Sequence, residues 1–109
     1  MHAIYERERT VEGRKLTTFS RDVIHGNAEL CPEGGATSMR GDTDRENSTR
    51  AFVSLDIAEG DFDIRPLTDG KDQLTGFEIS CCGDWESFSL AEAFYFMYLA
   101  IMDGMHGAR

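Results

Sequence analysis

From Ala51 onward the chain alternates. Ala51, Val53, Leu55 and Ile57 fall on one side of an extended segment and Ser54 and Asp56 on the other, the period-two pattern of a half-buried strand. Glu59-Gly60 supplies a turn, Phe62 and Ile64 carry the apolar face onto a return strand, and Pro66 ends that strand or marks an edge. The polar run TDGKDQ leads into LTGFEISCC, where Phe77, Ile79 and Cys81 alternate with Glu78, Ser80 and Cys82. Together these segments predict a three-stranded meander with one buried face. Nearer the N-terminus, residues 3 to 9 and 15 to 20 alternate less regularly around Glu12-Gly13-Arg14, which predicts a β-hairpin. A further extended piece spans Asp22 to Cys31. After Pro32 the residues become polar and glycine-containing without periodicity, which predicts a flexible surface loop over residues 33–49.

The last element is SLAEAFYFMYLAIMDGMHGAR. Ser89 and Glu92 have the spacing of a capping box, and Gly104 is placed to end a helix of about 14 residues, roughly 20 Å long and short of the ~30 Å needed to cross a membrane. At 100° per residue, Leu90, Phe94, Met97 and Ile101 make one stripe flanked by Ala93 and Tyr98, and this stripe is expected to cover the sheet. The other side carries Glu92 and Asp103 but also Tyr95, Phe96, Leu99 and Met102, which a helix covered on one side only would not need. Those four residues predict a second contact, either under the long loop or as the interface of a homodimer. The expected fold is therefore α+β: an antiparallel sheet of four to five strands with one C-terminal helix packed on one face, in a single domain over residues 1–109.

Charge narrows the partners. The chain has a formal net charge of −9, and residues 51–109 carry 11 Asp and Glu against three basic residues, Arg65, Lys71 and Arg109. Such a balance opposes direct binding to a nucleic-acid backbone and favours a basic protein surface. Asp56, Glu59, Asp61, Asp63, Asp69 and Asp72 fall on outward positions and turns of the meander and form the expected partner-binding face. The start MHAIYERERT has no basic segment followed by an apolar run, so a cytoplasmic location is expected, and the three cysteines are expected to be reduced.

Chemistry-bearing motifs are sparse. Cys81 and Cys82 point to opposite sides of a strand, which predicts one packed and one outer thiol. His2, His25, Cys31, Cys81, Cys82 and His106 show no metal-ligand spacing, and the carboxylate runs at 42–46 and 61–63 lack the glycine and closing glutamate of a calcium loop. No nucleophile elbow or phosphate-binding glycine loop occurs. The expectation is a protein that is not an enzyme and uses no cofactor or metal.

In size, acidity and lack of a catalytic motif across the whole chain, the sequence resembles the small phage-encoded inhibitors known as anti-CRISPR proteins. It is also similar in format to toxin-immunity proteins. The first resemblance implies an inhibitor that blocks a basic nucleic-acid-binding surface of a CRISPR effector complex or jams its movement, in the cytoplasm of the host. The second implies a cap over a toxin, and a structural homodimer joined through the C-terminal helix is the further alternative.

Overall fold

A computed structural model describes residues 3–39, 46 and 48–107. The element order is β1 (Tyr5–Val11), β2 (Arg14–Ser20), β3 (Val23–His25), β4 (Ala28–Ala36), β5 (Ala51–Glu59), β6 (Phe62–Thr68), β7 (Leu74–Cys81) and α1 (Asp84–Met105). Strands β1 to β5 form one antiparallel sheet, β6 and β7 a second sheet of two strands, and α1 packs across the first, giving the α+β class. The predicted N-terminal hairpin is present, with Glu12 and Gly13 both at positive φ in its turn.

Strand β4 is the centre. One edge pairs with β3 over Ala28–Leu30 and with β2 over Glu33–Gly35, and the other edge pairs with β5. The extended piece expected from Asp22 to Cys31 is thus split at Gly26-Asn27 into β3 and the start of β4, and the loop expected from Glu33 begins only at Thr37. Pro32 lies inside β4 because the ladder on the β2 and β3 side is interrupted there, and a gap in pairing tolerates a residue without an amide hydrogen. Thr37 and Arg50 close the neck of the loop through Thr37 N–H donating to the Arg50 carbonyl at 2.9 Å. Arg50 is itself buried, and its guanidinium donates to the carbonyls of Val11, Glu12 and Ser48. The rest of the expected loop, residues 40–45 and 47, lies outside the described residues.

Gly34 and Gly35 look like turn residues in the sequence, but they serve close approach. A Cβ on Gly34 would stand 3.2 Å from the Met97 carbonyl oxygen, and one on Gly35 would collide with Thr17 and Thr18. The helix comes down on β4 with Ser89, Ala93, Met97 and Ala100 buried, and Gly104 presses against the Ala36 backbone. Apart from Met97, which the expected stripe shares, its sheet-facing line is small, and it is centred about 70° around the helix from the expected Leu90, Phe94, Met97 and Ile101 stripe. Phe94 is 42% exposed and Tyr98 56% exposed. Size explains the difference: the closer a helix approaches a strand, the less room remains for large side chains on the line of contact, so these move to the flanks.

The helix also starts earlier than expected. Its N-cap is Gly83 without a side-chain cap, so Ser89 is a buried helical residue rather than a capping one. Its 22 residues span about 33 Å, longer than the roughly 20 Å expected; no helix among the described residues is long and apolar enough to cross a membrane.

The meander does not form. β5 pairs with β4, whereas among the described residues β6 and β7 pair with each other in a separate two-stranded sheet. Within that hairpin Phe62, Ile64 and Pro66 stand opposite Cys81, Ile79 and Phe77, so the expected apolar face exists, but Ile64, Leu74 and Phe77 are exposed. Glycines at positive φ sit at both joints, Gly60 (126°) before β6 and Gly83 (121°) after β7, where other residues would be strained.

The close seam gives a sign-inverting expectation. On a free helix Gly to Ala gains roughly 1 kcal/mol, whereas Gly104→Ala should lose about 1–3 kcal/mol because the new methyl group meets the Ala36 backbone. Urea unfolding of the two proteins measures it; a raised midpoint for the variant would contradict the seam.

Candidate interaction surface

The register of β4 assigns the two faces of the main sheet. Leu30, Pro32, Gly34 and Ala36 stand opposite Ile57, Leu55, Val53 and Ala51, and this side carries the helix. Because α1 sits over β4, its two flanks overlook different strands. On the β5 flank a trough of about 260 Å³ runs between Val53, Leu55, Ile64, Phe77, Ile79 and Phe94, with Ser54 and Met97 completing its walls. None of these side chains ionises, and Val53, Ile64, Phe77 and Phe94 are each 42–59% exposed. The alternation along the chain predicts a buried face for Val53, Leu55, Ile64, Phe77 and Ile79, and the helix periodicity a sheet-facing place for Phe94. The missed signal was one of supply: the chain offers three apolar faces, on the main sheet and the hairpin as well as the helix, and a single helix cannot cover both sheets.

The opposite flank faces β2. Phe19, Tyr95 and Leu99 line a groove of about 400 Å³ with Ile4, Arg21, Phe96, Ala100 and Asp103. Of the four helix residues expected at a dimer interface, Tyr95 and Leu99 are exposed here, Phe96 is half-buried with the Arg21 guanidinium 5.3 Å from its ring, and Met102 is half-buried. Arg21 also donates to Glu92 at 3.0 Å, and His25 Nε2 lies 3.1 Å from the other Glu92 oxygen. This cluster pins the helix to the β2–β3 corner, and ties up polar groups that a dry interface would have to accommodate.

The six carboxylates expected to share one face are distributed. Glu59 and Asp61 occupy the β5–β6 turn, which meets the helix start: Cys82 N–H donates to the Asp61 carbonyl at 3.3 Å, and Asp61 N–H approaches Glu86 Oε2 at 3.4 Å. Asp84 and Glu86 of the first helical turn thus join Glu59 and Asp61 at one end of the molecule, an acidic pole. The helix amides stabilise Asp84 and Glu86. Trp85 and Phe88, both more than half exposed, stand beside them on the same turns. Asp63 is instead paired with Arg65 at 2.7 Å on the polar side of β6. Asp69 accepts from the backbone of Lys71 and Gln73, and Asp72 has φ 62°, so both shape the β6–β7 turn. That turn is about 20 Å from the pole along the strand. Asp56 stands opposite Cys31 in register, on the sheet face without the helix.

That face, opposite the helix, holds a buried carboxylate beside buried Thr18 and Ser20. Glu33 accepts two hydrogen bonds from Arg9, at 2.6 and 2.7 Å, and one from Thr18, with the Arg9 guanidinium lying 5.0 Å from the centre of the Phe52 ring. The Arg9 hydrogen bond, followed by that of Thr18 and the charges of Arg9 and Arg7, holds the Glu33 carboxyl below the ordinary carboxylate range against the opposing effect of burial. Nearby, burial pushes the Cys31 thiol up, with Asp22 adding to the shift, which leaves it a poor nucleophile. Cys81 is half-buried, Cys82 exposed, and both are free thiols. Among the described residues no three His, Cys, Asp or Glu side chains converge as a metal site would require.

Comparison with known proteins returns no match to a family model, to a curated protein or to a solved structure.

The Glu33 cluster predicts a pH dependence with a definite sign. A carboxylate with a depressed folded-state pKa stabilises the fold above its ordinary value of 4.5 and loses that contribution as the pH falls below it. Glu33→Gln should lower stability at pH 7 and flatten the fall in urea midpoint between pH 5 and pH 3. An unchanged slope in the variant would show that other carboxylates govern acid unfolding.

Proposed function

We propose that the protein is a small acidic inhibitor that binds a basic surface on another protein, in the manner its format shares with anti-CRISPR proteins. The observation that carries this reading is the acidic pole. Glu59, Asp61, Asp84 and Glu86 are gathered there without an ion pair to a cation among the described residues, beside exposed Trp85 and Phe88. Carboxylates steer a basic partner toward the surface, and aromatic side chains supply the buried anchors that dominate binding energy in protein interfaces. A surface built to hold nucleic acid has the complementary charge, so the nucleic-acid channel of a CRISPR effector complex in the host cytoplasm is the proposed target. The apolar trough adds a second element to the reading, in which the inhibitor works as a homodimer.

Binding and inhibition separate cleanly in experiment. A panel of purified CRISPR effector complexes should include one that captures the chain and loses DNA binding or cleavage when it does. Association should slow markedly between low salt and 0.5 M salt, since electrostatic steering is screened. Reversing Glu59 and Asp61 to Lys should slow it far more than reversing Glu6 and Glu8. An association rate indifferent to salt and to the Glu59/Asp61 reversal would remove the pole from the interface, and capture of a toxin nuclease in place of an effector would turn the reading to an immunity protein.

A further inference from the structure

We infer that the seam of the homodimer is the trough between the β6–β7 hairpin and the β5 flank of the helix, and that two copies meet there about a twofold axis, the hairpin of each lying against the Phe94 and Tyr98 side of the other's helix. The inference rests on the dimeric part of the reading above and not on the identity of any target.

A two-stranded hairpin is marginal in water unless one face is packed. Here the face built from Ile64, Phe77 and Ile79 opens onto the trough, and Ile64 and Phe77 remain more than half exposed. Whatever covers such a face must be at hand whenever the hairpin is ordered. A second copy meets that condition, whereas a partner encountered only at times would leave the hairpin bare in its absence.

Area and shape agree. The chain exposes 7433 Å², about 1,400 Å² more than a compact monomer of this mass, for which roughly 6,000 Å² is expected. A standard interface buries about 800 Å² per partner, and obligate homodimers bury more. The radius of gyration is 15.6 Å, against about 13 Å for a compact chain of this length. The molecule is a plate, 44 × 44 × 18 Å.

Charge selects between the helix flanks. Two chains that each carry −9 approach at least cost where acidic groups are absent. The side chains lining the trough are all uncharged, whereas the groove of Tyr95 and Leu99 contains Arg21 and Asp103. On the hairpin, Asp63, Arg65 and Glu78 point to the other side, away from the seam. A twofold seam also gives each dimer two acidic poles, and therefore two sites through which a repetitive basic target can be held.

Light scattering on the purified full chain tests the seam. The wild type should have twice the mass of one chain, the double variant Ile64→Lys with Phe77→Lys should be monomeric, and Leu99→Lys should remain dimeric. A monomeric wild type overturns both the dimer and its seam. A dimer that survives Ile64→Lys/Phe77→Lys but is lost in Leu99→Lys overturns the seam alone and returns the interface to the β2 flank. Should the double variant not fold, hydrogen exchange of the wild type answers the same question. On dilution, the amides of β6 and β7 should lose protection at least tenfold while those of β4 keep theirs. Equal protection of the hairpin at a concentration where the mass is that of two chains and at one where it is that of a single chain overturns the inference.

Discussion

The helix lies against β4 across a line of small residues, and the rest of the architecture follows from that approach. Gly34 beneath Met97 and Gly104 against Ala36 leave no room for larger side chains, so Leu90, Phe94 and Tyr98 are turned toward one flank and Tyr95, Phe96 and Leu99 toward the other. Dispersion contacts accumulate along the seam because the two backbones run so near each other, even though Met97 is the one large side chain among the buried helix residues there. The cost is that the bulky apolar groups are left at the margins. A helix seated higher on large side chains would cover more of the sheet and hold it less closely.

The electrostatic organisation complements this. Carboxylates gather where the β5–β6 turn meets the helix start, while the walls of the trough carry no charge. On the face of the sheet without a helix, a single buried carboxylate is satisfied by Arg9 and Thr18, and the flat guanidinium doubles as cover for Phe52. Arginine suits that place because its planar fork grips a carboxylate with two hydrogen bonds while its face lies on an aromatic ring. The sheet is thereby closed on one side by a helix and on the other by a polar network.

The fold class was legible because period-two alternation and a long apolar C-terminal segment are strong local signals. The N-terminal hairpin was legible for the same reason, with Gly13 marking its turn. What misled was local chemistry with two meanings. Pro32, Gly34 and Gly35 look like a loop when read for turns, and they form the interior of the central strand once the helix is seated above them. The rotation of the helix was hidden because hydrophobic periodicity weights size, whereas close packing weights smallness. Of the acidic residues in the candidate surface, the sequence points to Glu59 and Asp61 but not to Asp84 and Glu86, and it does not show the grouping. Asp63, Asp69 and Asp72 are committed to an ion pair or a turn, and Asp84 and Glu86 join the pole only because the chain doubles back at Cys82.

Both joints of the β6–β7 hairpin are glycines in backbone conformations that other residues adopt only under strain. Its inner order comes from its own ladder and turn, and its attachment from two short points of chain. The hairpin is therefore a cassette. Its sequence is free to drift or be exchanged under selection from whatever it touches, with little consequence for the helix and sheet that carry it, while the two glycines are the positions at which such drift must stop.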